Sequence, residues 1–381
     1  MKFGIITESQ VAKGSTHAVR IHECIKEAVL ADELGFDFWG TSEQHMVRSA
    51  YTISAPEVIY GAVAALTKRI KIRTMSVVML GRINHPIRIA ERLSTLDILT
   101  HGRLEFGTAR SNNAAYQQAF GIDPTTTREE WQETLEATLR AMQQVPFSFK
   151  GRFYDIAPCY VAPRPYSIEP PPVYVAASSI DSHRYAGELG IGTMTLETWY
   201  GWDYLQECID AHRKGFEKAA PIGGLYKANP HRAFLTFPSH VAETRERAIA
   251  EARETIQGLL IHVIDLYTAV AKAEAEKGGS TYSYTMKMLE LAKYKDDIDY
   301  LIDWTPTVMV GTPDEVVKRI LRLRDMGIDE IILKIDNFGH STNMRSIEMF
   351  AKYVIPAVNN PAAIPHNEYE EIGVKAEPYL V

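Results

Sequence analysis

Cysteine is scarce and scattered: Cys24, Cys159 and Cys208 are the three in 381 residues. They show no CxxC spacing and are odd in number. That argues against a disulfide framework and a cysteine zinc site, and it fits a reducing, cytoplasmic setting. No HxH or HExxH pair stands beside carboxylates, so no metal is expected. Excess positive charge is missing as well. The chain carries 41 Lys+Arg against 48 Asp+Glu, a formal net charge of -7. Nucleic-acid binding needs a clustered basic face, so that class of partner is set aside. No apolar stretch is long enough to cross a bilayer, and the N-terminus lacks the apolar core of a signal peptide, so no membrane role is expected. No GxGxxG follows a strand, which removes the usual signature of a doubly wound dinucleotide fold.

What the chain has is alternation of short apolar strands with amphipathic helices. Strands are read at residues 2–7, 36–40, 70–80, 104–108, 173–177, 191–196, 232–237 and 331–335. Helices are read at 17–34, 56–66, 86–99, 128–144, 182–189, 204–219, 312–326 and 343–358. Gly35 closes the first helix, Pro56 and Pro86 stand at permitted first turns, and Thr312-Pro313 opens the seventh. Eight strand–helix repeats argue for an α/β fold of the (β/α)₈ TIM-barrel type, a single domain over residues 1–358. Two stretches break the rhythm. Residues 145–172 are proline-rich, with a small hairpin at 151–156. Residues 261–304 lack a clean strand and read as a helical insertion over the mouth, where Tyr267, Tyr282, Tyr284 and Met286 suggest a mainly apolar substrate. Residues 359–381 read as an extended tail.

In such a barrel the chemistry sits at the C-terminal ends of the strands. After the fifth strand come Ser178, Ser179 and Ser182, at a helix start. Hydroxyls and backbone N–H groups there suit an anion, and Arg110 arrives from the neighbouring fourth strand. These residues read equally as a phosphate grip or as a capped helix (through Asp181 or Ser182) with a salt-bridged arginine. Glu43 and His45 end the second strand as candidates for acid/base work, against a hydrogen-bonded loop pair. Trp199, with Tyr200 and Trp304, is a candidate pocket wall.

The chain resembles the bacterial-luciferase-like, flavin-dependent monooxygenases from Lys2 to about Val358. The resemblance rests on His85-Pro86-Ile87-Arg88-Ile89-Ala90-Glu91, then Leu96-Asp97, then Gly102-Arg103-Leu104-Glu105-Phe106-Gly107. Ser42-Glu43-Gln44-His45 is similar to the family's Glu-His-His box. Pro172 to Ser179 is similar to its phosphate strand, and Val310 to Val316 to its GTPxEV helix start.

The resemblance implies reduced FMN supplied by a separate reductase, and O₂. A small organic substrate would be oxygenated through a flavin (hydro)peroxide. It implies that Arg110, Ser178, Ser179 and Ser182 bind the FMN phosphate, and that Met75 and Ser76 lie beside the flavin ring, where relatives carry a non-proline cis peptide. It also implies that Asn112 lines the flavin site and that the protein is a homodimer, with the apolar helices near the second and third strands as its interface. Gln44 stands where the family has its catalytic histidine, and His45 is the next residue. Either His45 takes over, or Gln44 hydrogen-bonds the flavin intermediate. Two alternatives remain on sequence: a deazaflavin-dependent hydride-transfer oxidoreductase, and a non-catalytic flavin-binding relative.

Overall fold

The computed structural model describes residues 1–46, 52–110, 114–277, 282–336 and 338–360. Strands β1 (Lys2–Thr7), β2 (Phe38–Thr41), β3 (Lys71–Arg73), β4 (Leu104–Ala109), β5 (Val173–Ala177), β6 (Gly192–Thr195), β7 (Arg232–Thr236) and β8 (Glu330–Lys334) lie side by side in chain order. All pairings are parallel. β8 closes on β1 with Lys2 opposite Glu330 and Ile6 opposite Lys334, and β3 meets β4 at Ile72–Leu104. Helices α1 (His17–Glu33), α2 (Pro56–Leu66), α3 (Pro86–Thr100), α4 (Thr127–Gln143), α5 (Ile180–Glu188), α6 (Trp202–Phe216), α7 (Pro313–Met326) and α8 (His340–Met349) alternate with them. The molecule is a closed (β/α)₈ barrel of the luciferase-like type, as the alternation predicts.

The helix starts follow local chemistry. The His85 ring accepts from Ile87 N ahead of Pro86 in α3. Thr312 and Glu315 form a reciprocal capping box at α7, and Gly327 ends that helix in the left-handed region. The third strand departs from the reading of 70–80. It stops at Arg73 and resumes only at Val77–Val78. The reason is Thr74, whose hydroxyl donates to Gly107 O at 2.7 Å and accepts from Gly107 N at 2.8 Å. A side chain there replaces a rung of the ladder. The fifth helix begins at Ile180 rather than 182, and the last at His340 rather than 343. Unforeseen are a helix at Ala114–Phe120 and a parallel pair, Ser239–Val241 with Met309–Gly311.

Inside the barrel, Ile6, Phe38, Met75, Tyr174, Met194, Ala233 and Ile332 form an apolar layer. Gly4 makes room for it, since a Cβ there would fall 2.1 Å from the Phe38 ring. The Arg73 guanidinium lies between the Phe38 and Tyr174 rings, 3.7 and 3.9 Å from their centroids, and pairs with Glu105 at 2.6 Å and Glu330 at 2.7 Å. This charged plug fills the barrel near the N-terminal ends of its strands. The C-terminal ends are left to form a cavity.

The two interruptions of the rhythm have structure of their own. Phe147–Lys150 and Asp155–Cys159 form an antiparallel hairpin. Helices Arg245–Lys277, Tyr282–Glu290 and Ile298–Trp304 pack on a second apolar cluster with Trp199, Tyr200 and Tyr204. Glu197, just past β6, ties this region to the barrel. It accepts from the Thr305 and Thr307 hydroxyls and from Gly201 N. Burial pushes its carboxyl up, against the pull of those hydrogen bonds.

Candidate functional site

A cavity of about 510 Å³ opens at the C-terminal ends of the strands. Its apolar side comes from Ile6, Met75, Val78, Met194, Leu235 and Ile332. Its polar side comes from Glu8, Ser42, Glu43 and Gln44, with Arg110 and Ser178 also lining it. Pockets of this size hold small organic ligands and cofactors.

The box after β2 separates into three roles. Glu43 is buried and saturated. It accepts from Val78 N at 3.0 Å, from Asn84 Nδ2 at 2.9 Å on each oxygen, and faces His45 Nε2 at 2.9 Å. A carboxylate so engaged anchors the loop. Gln44 lines the cavity, and its Nε2 donates to Glu8 Oε1 at 3.1 Å. The His45 ring, held to Glu43 through Nε2, makes T-shaped contacts with Tyr116 and Phe120, with centroids 5.8 and 5.4 Å away, and it does not line the cavity. Of Gln44 and His45, the side chain that reaches the cavity is therefore the amide.

The Met75-Ser76 peptide is cis, and both residues line the cavity. The Tyr60 hydroxyl accepts from Met75 N at 3.3 Å and from Thr41 N at 3.1 Å, and donates to Thr41 O at 2.5 Å. It joins the end of β2 to the start of this segment.

Arg110 meets no carboxylate within ion-pair distance among the described residues. Burial and then Arg128 press its guanidinium below its ordinary range, with Asp181 and Tyr185 pulling the other way. The nearby carboxylate, Asp181, already pairs with Arg128 at 2.7 Å and Arg184 at 2.6 Å. A half-buried cation beside a second cation, at the start of α5, is a site that an anion completes.

The three serines divide. Ser178 lines the cavity. Ser179, rather than Asp181 or Ser182, is the N-cap of α5, and it forms a capping box with Ser182. The Ser182 hydroxyl donates to Ser179 O at 2.7 Å, so both hydroxyls already serve the helix start. Ser182 also faces a small void shared with Arg110 and Arg128.

Trp199 lies elsewhere. It is 1% exposed within the second apolar cluster, and the adjacent Thr198 takes the cavity position. Tyr284 packs against Tyr204 and Met286 is exposed, and neither lines the cavity. Those two residues therefore lend no support to an apolar substrate. Asn112 and the side chains of Tyr267 and Tyr282 lie outside the described residues.

The model for luciferase-like monooxygenases matches residues 1–330. The chain belongs to the luciferase-like monooxygenase family. With the family comes the enzyme class, a flavin-dependent monooxygenase. The chain is 27% identical over 348 residues to limonene 1,2-monooxygenase of Rhodococcus erythropolis, covering 89% of this chain and 82% of that one. It is 26% identical over 373 residues to the alkanal monooxygenase alpha chain of Photobacterium leiognathi, covering 95% and 100%. Its fold superposes with a TM-score of 0.74, at 20% identity and 94% and 98% coverage, on the oxygenating constituent of 3,6-diketocamphane monooxygenase from Pseudomonas putida, a type II Baeyer-Villiger monooxygenase solved with FMN.

Glu8 is among the strand-end residues that the sequence offers, but its pairing with Lys334 and the parts of Asn84 and Tyr60 are not legible there. Glu8 and Lys334 stand at or just past the ends of β1 and β8, where the strand-end rule points, but nothing local marks them as partners. Asn84 and Tyr60 reach the site from the segments between strands, and only the fold brings them there.

Proposed function

We propose that the cavity takes reduced FMN and that the protein is the oxygenase half of a two-component monooxygenase acting on a small organic substrate. The observation that carries this reading is Arg110: a half-buried guanidinium with no carboxylate partner among the described residues, at the edge of a cavity of flavin-like size. When bound, reduced flavin would supply the two electrons that activate O₂, the second substrate. The chain's own part is to bind, orient and exclude water. Arg110 and Ser178 would hold the phosphate at the start of α5, which the Ser179–Ser182 box keeps wound. Met75 and Ser76 would flank the ring. No histidine lines the cavity among the described residues, so the protein's contribution lies in positioning more than in side-chain proton transfer. A separate reductase would deliver the reduced cofactor in the cytoplasm. We infer further that two copies join across α2 and α3. Val58, Leu66 and Leu99 are exposed there, beside a groove of about 280 Å³ lined by Ile89, Leu93 and Leu96.

Titration with FMN, oxidised and then anaerobically reduced, tests the reading by absorbance and fluorescence. The expected result is tighter binding of the reduced form. Absence of binding in both states overturns it, and preferential uptake of a deazaflavin reassigns the cofactor.

A further inference from the structure

Glu8 follows the last residue of β1 and lines the cavity. Lys334, the last residue of the neighbouring strand β8, is 1% exposed and places its Nζ 2.5 Å from Glu8 Oε2 and 3.7 Å from the centroid of the Phe237 ring. The other oxygen, Glu8 Oε1, accepts from Ser42 Oγ at 3.0 Å and from Gln44 Nε2 at 3.1 Å. Gln44 Nε2 also lies 3.3 Å from Ser42 Oγ. Asp336 receives Glu8 N at 2.8 Å and adds a second carboxylate behind the pair.

Proton accounting fixes the orientation of the amide. An ionised carboxylate only accepts, so Ser42 and Gln44 must both donate to Glu8. With its proton directed to Glu8, Ser42 meets Gln44 as an acceptor. The Nε2 end of the Gln44 amide is thereby held on the Glu8 side, and Oε1 has no hydrogen-bond partner among the described residues. Burial presses the Glu8 carboxyl up, but the Lys334 ammonium, Ser42 and Gln44 outweigh it and hold it below the usual carboxylate range. Glu8 is an acceptor throughout the neutral range.

We propose that Glu8, anchored by Lys334, is a positioning residue that turns the Gln44 carboxamide so that its oxygen faces the ligand, and that this makes the site prefer reduced over oxidised flavin. The inference rests on the flavin reading above. The chemistry is that of one ring nitrogen. Oxidised flavin presents it bare, as an acceptor, and a carbonyl oxygen opposite repels it. Reduced flavin presents it as N–H, and the same oxygen accepts it. A histidine at this position could meet either form by exchanging tautomers. A glutamine held by a carboxylate meets one.

Dissociation constants for oxidised and anaerobically reduced FMN are measured in the wild type, Glu8→Gln, Gln44→Leu and the double variant. Glutamine at position 8 can donate or accept, so it frees Gln44 to rotate. Each single change is expected to lower the preference for reduced FMN by about tenfold, the scale of one hydrogen bond. For a two-electron couple that is about 30 mV. The double variant is expected to lose no more than either single one, because Glu8 acts through Gln44. Glu8→Gln with Lys334→Met removes the charge pair as a unit, and it reads the same quantity if Glu8→Gln alone fails to fold. A folded Glu8 variant with the wild-type preference overturns the role of Glu8. So does a double variant whose loss is the product of the two singles. A wild type that binds neither form sinks the flavin reading, and this inference with it.

Discussion

Asn84 donates from Nδ2 to both carboxylate oxygens of Glu43, at 2.9 Å each, while Arg92 Nη2 grips its Oδ1 at 2.6 Å. Arg92 in turn pairs with Glu57 on α2 at 2.9 Å. A donor-only guanidinium on one side and an acceptor-only carboxylate on the other permit a single amide orientation. The chain of contacts runs from α2 to the cavity wall. Asn84→Leu leaves the buried Glu43 carboxylate short of two hydrogen bonds, and about 2–3 kcal/mol of stability is expected to go with them. Asn84→Asp should cost more, since it sets a second carboxylate against the first. Urea unfolding checks both. A wild-type midpoint for Asn84→Leu would show that the amide carries no weight.

Arg110 yields a prediction about ligand choice. Riboflavin and FMN share a ring system and differ in the phosphate. Arg110→Met should weaken FMN binding by about 10- to 100-fold, the range for a charge-assisted contact, and leave riboflavin nearly unchanged. A variant that weakens both ligands equally would mean that Arg110 shapes the cavity rather than the phosphate site.

The barrel was legible because its evidence is periodic. Each strand–helix repeat was visible on its own, and the caps at Pro56, Pro86 and Thr312 set helix starts within a residue of those observed. The break at Thr74 was not legible, because it depends on Gly107, a residue of the neighbouring strand. At the site, sequence pattern placed Gln44, Arg110, Ser178, Met75 and Ser76, and all five line the cavity. It could not separate Gln44 from His45. Adjacent residues leaving a strand point to opposite sides, and the choice depends on Tyr116 and Phe120 from a helix that composition did not reveal. Trp199 misled for a similar reason. Its φ of 64° turns the chain just past β6, and its ring joins the helical insertion.

The plug at the base of the barrel should be intolerant of partial removal. Arg73 is fully buried between two rings and two carboxylates, and Lys71 at 2.9 Å is the other cation on Glu105. Arg73→Met keeps much of the volume but removes the buried cation shared by Glu105 and Glu330, leaving Lys71 on the first and Lys2, at 3.1 Å, on the second. Removing one member of a buried ion pair costs about 3–5 kcal/mol, and the two remaining lysines should hold the loss to the lower end of that range. Arg73→Met with Glu330→Gln removes a charge of each sign and should recover part of that loss. Guanidinium unfolding of the two variants decides it. Equal midpoints would mean that the carboxylates find other partners.

Stability should also fall on mild acidification, through His183. The ring is buried beneath α5, with Nδ1 2.8 Å from Ser179 O and Nε2 3.0 Å from Thr195 Oγ1. Burial disfavours its charged form and holds it down at about 4, against an ordinary value of 6.5, although the Ser179 carbonyl pulls upward. The sign follows from proton counts. Between those two values the unfolded chain binds a proton that the folded one does not, so stability rises with pH. The contribution is complete above pH 6.5 and is lost progressively toward pH 4, on the order of 3 kcal/mol over the window. Ser179 caps α5, so acid loosening should begin at the helix that frames Arg110. His212, buried and depressed in the same direction by burial, adds a smaller slope of its own. His183→Gln keeps a donor and an acceptor but cannot titrate. Between pH 7 and pH 5 the wild type should lose melting temperature, and the variant should lose distinctly less. Parallel curves for the two proteins would remove His183 from the account and leave the acid response to other groups.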